Sequence, residues 1–341
     1  MLGPEHVDVT ACYNDLGGLH SDLGETDQAK DYYKRALEIR LRKLGHEYVD
    51  VATLYNNLGS LHGDLGGTDK AKDYYKRALA IRLKKLEPEH VDVADCYNNL
   101  GDLHSDLGET DQPKDCHNRA LEIKLIKLGP EHVDAALSYN NLGVLHVALG
   151  ETDQAEDYHK RALEIRLKKL GHERVDVAAC YSNLGILQSH LGETDQAKDY
   201  YKHALEIRLK KLGLDHSPRR NRSTKRLPKE CTGDSSENLG PKHVDVAASF
   251  NNLGILHVAL GETEQAKEYY KRALEILLKN LGAEHADVAA SHNNLGTLYS
   301  ALGEISEAKD YYKRALEIRL KKLGPEHVDV ATSQQSGYFT Q

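Results

Sequence analysis

The sequence predicts an all-α protein, a solenoid of seven helix-turn-helix units, and three observations lead to this fold class. Variants of Tyr-Asn-Asn-Leu-Gly begin at residues 13, 55, 97, 139, 181, 250 and 292, which are 42 apart except for one step of 69. Apolar residues recur with a helical period inside each copy, and glycines interrupt each copy at matching places. A chain of this kind forms one array in which each unit contacts its neighbours, rather than two or three globular domains.

The first helix of a unit follows from the spacing of its apolar residues. In the second copy, Gly66-Gly67 then breaks the chain and ends this helix. The residues that recur at i, i+3, i+4 and i+7 spacing are Val51, Ala52, Tyr55, Leu58, Gly59, Leu61, His62 and Leu65.

The second helix is predicted to begin with Thr68 as its cap and Asp69 in its first turn. Gly59 is small where the two helices must approach closely, and Tyr75 is expected to fill the space between them. In most copies a glycine followed by proline or a polar linker ends the helix. Its predicted apolar stripe is Ala71, Tyr75, Ala78, Leu79, Leu83 and Leu86.

Pro113 departs from the repeat, because the other units carry alanine at this position near the start of the second helix. Amide groups of a first helical turn generally have no partner inside the helix. We therefore expect this proline to be tolerated without the loss of a hydrogen bond.

Seven positions of the second copy together resemble the tetratricopeptide repeat: Tyr55, Leu58, Gly59, His62, Ala71, Tyr75 and Ala78. The 42-residue period, with KRALEIRLKKLG followed by H-x-DVA, is similar to the kinesin light chain and nephrocystin-3-like type. The resemblance implies a right-handed superhelix whose first helices line a concave, peptide-binding groove. It covers five repeats in 6–212 and two in 241–333, around a charged insertion at 213–240 that we expect to be disordered.

The ends of the chain do not complete a repeat. The chain begins with a linker sequence, and 334–341 form a degenerate tail where another first helix would start. Solenoids generally carry polar caps at both ends. These ends predict a fragment of a longer array or a truncated gene product.

Composition excludes several classes of function. The net charge is −8, and the insertion holds six basic and four acidic residues, so the rest of the chain carries −10. An acidic array is a poor nucleic-acid binder, and no nucleic-acid partner is expected. No apolar run approaches the ~20 residues of a membrane span, and the N-terminus lacks the features of a signal peptide. We expect a cytoplasmic protein with no membrane partner, whose five cysteines are ordinary reduced thiols.

Histidines are frequent because one unit is copied. Equivalent residues of stacked helices lie on the order of 10 Å apart, too far to converge on one metal ion. No catalytic motif is present, so we expect neither an enzyme nor a metal or cofactor site. The histidines that occupy one core-facing position are His20, His62, His104, His146 and His257.

The second asparagine of each repeat is the candidate for contact with a peptide. Asn57 shares a helix face with Ser60 and Asp64, away from the apolar stripe. The resemblance implies that an asparagine here holds a ligand backbone through its amide, which donates and accepts at once. The alternative is a ladder that bonds neighbouring helices, and the first asparagine, such as Asn56, is expected to be structural. The candidates are Asn57, Asn99, Asn141, Asn183, Asn252 and Asn294.

The neighbours of these asparagines differ between copies and would set specificity. Copies one to three add acidic residues, whereas copies four and six add apolar ones. This pattern predicts a ligand with a basic part near copies one to three and an apolar part near copies four to six. The acidic candidates are Asp22, Asp64, Asp102 and Asp106, and the apolar candidates are Val144, Val147, Ile255 and Val258.

The sequence as a whole favours a non-catalytic scaffold or adaptor that binds peptide segments of other proteins. One alternative is a kinesin light chain-like cargo adaptor of a microtubule motor, although the face lacks the basic residues by which kinesin light chains are known to take acidic peptides. Another is the repeat, or sensor, region of a larger signalling protein. Fold alone does not choose among these roles.

Overall fold

A computed structural model describes residues 7–211 and 242–323, and within them the regular structure is entirely helical, without strands. The predicted all-α fold is confirmed. The insertion at 213–240 and the tail at 334–341 lie outside the described residues, so the domain boundaries stay a prediction. The helices are α1 (Val7–Asp22), α2 (Thr26–Leu44), α3 (Val49–Asp64), α4 (Thr68–Lys85), α5 (Val91–Asp106), α6 (Asp111–Leu128), α7 (Val133–Ala148), α8 (Thr152–Leu170), α9 (Val175–His190), α10 (Thr194–Lys211), α11 (Lys242–Ala259), α12 (Thr263–Leu281), α13 (Ala286–Ala301) and α14 (Ile305–Leu323).

The helices form two compact units, Met1–Ile165 (unit 1) and Arg166–Gln341 (unit 2). In each unit, the two helices of a repeat pack on one another, and the second helix also packs on the first helix of the next repeat, as α2 does on α3 and α12 on α13. This neighbour-to-neighbour packing is that of a helix-turn-helix solenoid.

The core of unit 1 uses the predicted stripe of the first helices. Of its residues on α3, Val51, Ala52, Leu58 and Leu61 are almost completely buried, and Leu54 joins them although the sequence pattern did not include it. These side chains share one cluster with residues of α2. Stacking neighbouring repeats therefore removes the apolar face of each first helix from water, which is the main stabilising term of the fold.

The stripe predicted for α4 is wrong at Leu83, which is 39% exposed. Arg82 is buried instead, four residues beyond Ala78 and on the same face. Its guanidinium donates to the carbonyl oxygen of Asp92 (2.9 Å) and to Sγ of Cys96 (3.2 Å). A cation can occupy this interior position because the next repeat supplies acceptors.

A close approach of helix and ring explains the glycine of each first helix. A Cβ atom added to Gly59 would lie 2.6 Å from the Tyr75 ring, which is far inside normal contact distance. The tyrosine thus fills the space between α3 and α4, as the sequence predicted. In the third and fourth repeats the equivalent rings belong to His117 and His159, which are both 1% exposed.

The predicted threonine cap of α4 is not formed. Thr68 is the first helical residue, the cap position belongs to Gly67, and no side chain caps the helix there. In the fourth repeat the corresponding turn is closed by a side-chain contact, in which Nδ1 of His146 lies 2.5 Å from Oε2 of Glu151. The His146 ring also packs on Tyr158, with ring centroids 5.2 Å apart. The buried histidine ladder thus has a structural role in the described repeats.

Pro113 lies in the first turn of α6, but the expected absence of a lost hydrogen bond is wrong. In the other six repeats the equivalent alanine donates its N–H to the carbonyl oxygen four residues earlier, at 3.0–3.1 Å, as Ala71 does to Gly67. Proline has no N–H to donate, and α6 begins only at Asp111. The first turn of this helix therefore lacks one bond that its equivalents have.

We expect Pro113→Ala to stabilise unit 1 by about 1 kcal/mol, the contribution of one restored backbone hydrogen bond. Urea unfolding followed by circular dichroism measures the change. Ala71→Pro is the matched control and should destabilise. A Pro113→Ala variant that is no more stable than the wild type would contradict the assignment.

Candidate functional site

The predicted site residues lie along one surface of the first helices, which we call the A face. In unit 1 the A face is formed by the second asparagines of the repeats and by Asp64, Asp102, Asp106 and Val144. Asn57, Asn99 and Asn141 are each half-buried there. These three asparagines are therefore partly exposed to solvent and also within reach of neighbouring helices.

The asparagines of the first three repeats form a ladder. Nδ2 of Asn57 donates to Oδ1 of Asn14 at 2.8 Å, and Nδ2 of Asn99 donates to Oδ1 of Asn56 at 2.7 Å. Each second asparagine is thus bonded to the first asparagine of the preceding repeat. This is the structural alternative considered for these residues, and an amide has further donor and acceptor capacity beyond one such bond. Their contact with a peptide stays a prediction.

The ladder changes at the fourth repeat. Nδ2 of Asn141 donates to Oδ1 of Asp102 at 3.3 Å rather than to an asparagine. Asn98, which would have been the acceptor, is only 4% exposed and donates inward to Oγ of Ser138 at 3.3 Å. The A face consequently opens at this point.

A cavity of about 420 Å³ lies where the ladder changes, between α5, α6 and α7. Its walls include three predicted site residues, Asn99, Asp102 and Asn141, together with Leu137. The structure therefore brings amide, carboxylate and apolar groups from two repeats to one concave place. Leu137 is the single apolar side chain among the residues that line the cavity, so the cavity presents mainly hydrogen-bonding and charged groups to a partner.

Lys124 lies in the wall of this cavity and was missed by the sequence pattern. It is 1% exposed, and its Nζ lies 3.0 Å from Oδ1 of Asp95. Other repeats have arginine at the equivalent position, such as Arg82 and Arg166. In this copy the repeat pattern changes at two positions, to a lysine and to an additional aspartate. These two changes together were the signal in the sequence that could have identified the pair.

The carboxylates of the A face resist ionisation. Desolvation by the cavity walls, and then repulsion from Asp106, raises the pKa of Asp102 to about 6, although 56% of its side chain is exposed. Desolvation followed by Asp106 also raises the pKa of Asp64, and desolvation raises the pKa of Asp106. Burial lowers the pKa of the neighbouring His117 to about 4, so that histidine provides no positive charge at neutral pH. A cationic ligand would relieve this repulsion.

The remaining candidates lie where they were expected on the first helices. Asp22 is exposed on α1, and Val144 is 51% exposed on α7 beside half-buried Val147. In unit 2, the exposed apolar residues of α11 are Ile255 (49%) and Val258 (36%). Asn183, Asn252 and Asn294 are half-buried on α9, α11 and α13.

Another cavity, of about 370 Å³, lies between α4 and the linker that follows α2. Glu47, Tyr55 and Arg77 contribute to its walls. None of the predicted peptide-binding residues lines it.

Models of a known protein family match nearly all repeats of the chain. A model described as tetratricopeptide repeat matches residues 50–126, 114–168, 134–210, 235–279, 245–321 and 287–336, and a second model of the same description matches 9–47. The chain belongs to the tetratricopeptide repeat family. The resemblance seen in the sequence is confirmed, and the family is generally one of non-catalytic scaffolds for protein–protein interaction.

Solved structures similar to this tetratricopeptide repeat protein include kinesin light chain-like proteins. BtubC (BKLC) from P. vanneervenii is 22% identical, with 76% of this chain and 90% of that chain covered and a TM-score of 0.51. A putative kinesin light chain from Podosopora anserina is 20% identical, with coverages of 68% and 98% and a TM-score of 0.48. The Rap conjugation gene regulator of plasmid pLS20, in complex with the Phr* peptide, is 16% identical, with coverages of 92% and 76% and a TM-score of 0.63.

At these identities the likeness is one of fold. A search of the curated proteins finds no match for this tetratricopeptide repeat protein. Across residues 7–211 and 242–323, no helix combines the length and apolar character that crossing a membrane requires.

Proposed function

We propose that this protein is a non-catalytic scaffold or adaptor that binds an extended peptide segment on the A face of unit 1. The observation that carries the proposal is the cavity between α5, α6 and α7, which joins Asn99, Asn141 and Asp102 to the apolar side chain of Leu137. The Rap regulator with its bound Phr* peptide supports it, because that protein of similar fold takes a peptide ligand.

The asparagine amides provide the sequence-independent part of the recognition. Asn141 keeps an acceptor oxygen and a second N–H beyond its bond to Asp102. An amide of this kind can accept from a peptide N–H and donate to a peptide carbonyl. In unit 1 this role falls to Asn57, Asn99 and Asn141; in unit 2 the corresponding proposal concerns Asn183, Asn252 and Asn294.

The side chains around the asparagines provide the specificity. A basic segment of the ligand lies beside Asp64, Asp102 and Asp106, where the negative field of the carboxylates attracts lysine or arginine. The pKa values of these groups are raised first by desolvation, to which Asp106 adds repulsion at Asp64 and Asp102. An apolar side chain of the ligand lies beside Val144 and Leu137, which are 51% and 43% exposed. The same negative field disfavours nucleic acid as a partner.

Two narrower functional roles are also proposed for this protein. The likeness to BtubC (BKLC) supports a fold shared with a kinesin light chain-like protein, and a motor cargo adaptor and the sensor region of a signalling protein would both use such a face. We propose the cytoplasm as the location, since Cys96 and Cys180 are buried free thiols.

Fluorescence anisotropy with labelled peptides tests the proposal. A peptide with a lysine-rich half and a leucine-rich half should bind, and Asp102→Asn combined with Asp106→Asn should weaken it by about tenfold, or roughly 1.4 kcal/mol. Asn141→Ala should weaken peptides of every sequence by about fivefold, because it removes a backbone contact.

One variant serves as the control for this binding test. Glu122→Gln removes an exposed charge from α6 and should keep wild-type affinity for the unit 1 peptide. Preferential binding of a peptide with an acidic half would contradict the proposal. Equal binding by the Asp102→Asn, Asp106→Asn variant would contradict the electrostatic part.

A further inference from the structure

A guanidinium group lies at three junctions between successive repeats. At each of them, an arginine near the end of the second helix donates through Nη1 to a main-chain carbonyl oxygen at the start of the next repeat. The donor and acceptor residues are Arg40 and Asp50 (3.0 Å), Arg82 and Asp92 (2.9 Å), and Arg166 and Asp176 (3.0 Å). This place in the solenoid is therefore suited to bind a guanidinium.

The aspartate at this place can also contact the guanidinium through its side chain. At the first junction, Nη1 of Arg40 lies 3.7 Å from Oδ2 of Asp50, in addition to its bond to the carbonyl oxygen. The equivalent aspartate after the third repeat is Asp134, which lines the cavity between α5, α6 and α7. A residue type that contacts a guanidinium elsewhere in the chain thus forms part of this cavity wall.

Lys124 takes the position of the arginines at the junction of the third and fourth repeats, and it contacts a different partner. Its Nζ lies 3.0 Å from Oδ1 of Asp95, on the first helix of its own repeat. The position of Asp95 is alanine, threonine or leucine in the six other repeats, so the two residues depart from the repeat as a pair. Because Lys124 pairs with Asp95, the junction retains a polar cavity beside Asp134.

The walls of this cavity carry negative charge. Three aspartates and one lysine line it, which gives a net charge of −2 when all four are ionised. Lys124 neutralises Asp95, so Asp102 and Asp134 are the carboxylates that a ligand would meet. Oδ1 of Asp102 accepts from Asn141 at 3.3 Å, and a carboxylate offers about four lone-pair sites, so further donors can bind to it. The cavity therefore favours a cation with several donors.

A guanidinium fits these walls better than a metal ion or an ammonium group. Within residues 7–211 and 242–323, no three His, Cys, Asp or Glu side chains are grouped closely enough to hold a metal ion. Arginine presents five N–H donors in a planar fork and is more weakly hydrated than lysine, so it suits acceptors that are spread around a cavity. Leu137 is 43% exposed and can cover the methylene stem of such a side chain.

We propose that this cavity is the pocket for one arginine side chain of the peptide ligand. The guanidinium donates to the carboxylates of Asp102 and Asp134, and the methylene stem packs on Leu137. The ligand thus provides at this junction the group that the chain itself provides at the first, second and fourth junctions. This inference rests on the proposed binding of a peptide to the A face, and it names the side chain that fixes the register of that peptide.

Fluorescence anisotropy with a series of matched peptides tests the pocket. The labelled peptide with a lysine-rich half and a leucine-rich half is the parent, and arginine replaces each lysine in turn. At one position arginine should bind about tenfold more tightly than lysine, because bidentate, charge-assisted hydrogen bonds are then formed. Citrulline, which has nearly the shape of arginine but no charge, should bind more weakly than either at that position.

The combined variant Lys124→Arg, Asp95→Ala should remove the preference for arginine. It gives the third repeat the pair of residues that the fifth repeat has at Arg208 and Ala179, so the variant is expected to fold. The introduced guanidinium should bond to Asp134 as the arginines of the other junctions do with their aspartates, and it should fill the pocket. Peptides that carry only lysine should lose less affinity than the arginine peptide.

A small probe separates the pocket from the rest of the peptide site. N-acetylarginine amide at millimolar concentration should shift the side-chain amide NMR signals of Asn99 and Asn141 in the isotope-labelled full chain, and the citrulline analogue should not. Glu122→Gln, which changes an exposed residue of α6, is the matched control and should keep both the probe shifts and the preference for arginine.

The outcomes distinguish this proposal from the proposed function. If the peptides bind but arginine and lysine bind equally at every position, the pocket is overturned and peptide binding on the A face is retained. If the Lys124→Arg, Asp95→Ala variant keeps the preference for arginine, or if the probe gives no shifts, the pocket is likewise overturned. Probe shifts at both asparagines with no peptide binding would support the pocket and contradict the proposed function.

Discussion

Gly59→Ala is expected to destabilise unit 1 by about 3 kcal/mol, although it adds one methyl group and replaces glycine by a better helix former. The added Cβ would lie 2.6 Å from Cδ1 and Cε1 of Tyr75. That ring is 7% exposed and is held between α3 and α4, so it cannot move without disturbing the packing of its neighbours. Urea unfolding followed by circular dichroism provides the measurement, since the chain has no tryptophan.

Gly63→Ala is the matched control in the same helix. A Cβ atom at Gly63 meets nothing within 4 Å, so this change should stabilise α3 by about 0.5–1 kcal/mol through its helix propensity. If the two substitutions change the free energy of unfolding in opposite directions, the effect of the contact with the Tyr75 ring is separated from that of helix propensity. If both variants are stabilised, the close packing of Tyr75 on Gly59 is contradicted.

His159→Tyr is expected to remove much of the acid sensitivity of unit 1. Desolvation lowers the pKa of His159 to about 4, and its ring is 1% exposed. In the unfolded chain a histidine has a pKa near 6.5, so between these values the unfolded state binds more protons than the folded state. The stabilising contribution is therefore complete above about pH 6.5 and is lost as the pH falls toward 4, a change of about 2–3 kcal/mol.

Tyrosine fits this position, because five other repeats carry it opposite the same glycine: Tyr33, Tyr75, Tyr201, Tyr270 and Tyr312. Tyrosine does not titrate between pH 4 and 7, so the variant should lose less stability on acidification. Burial also lowers the pKa of His117 to about 4. This histidine should therefore maintain part of the dependence of the unfolding free energy on pH.

The measurement is the unfolding free energy at neutral pH and again near the folded pKa of about 4. If His159→Tyr leaves the dependence of the unfolding free energy on pH unchanged, the pKa of His159 is not lowered in the folded protein.

Much of the local structure was predictable from one copy of the repeat. The helices and the glycine that faces Tyr75 follow from periodicity and side-chain size, which act over a few residues. The burial of Arg82 in the core, in place of the predicted Leu83, could not be predicted in this way. It depends on acceptors from the next repeat, the carbonyl of Asp92 and the thiol of Cys96.

The candidate site, too, could be predicted from the sequence only in part. The sequence selected Asn57, Asn99 and Asn141 as a set on one face. It could not decide that two of them bond to asparagines of the preceding repeat whereas Asn141 bonds to Asp102. That difference depends on Asn98 turning inward to Ser138, a contact between residues 40 apart.

The sequence by itself determined the repeat, the all-α fold and the family, because these depend on residue types at fixed local spacings. Only the tertiary structure decided where the A face opens into a cavity, that Lys124 and Asp95 pair in its wall, and that Pro113 lacks a bond its equivalents make. Such features arise when neighbouring repeats stack. Hydrogen bonding and desolvation then depend on side chains about one repeat away, which a repeat pattern alone does not specify.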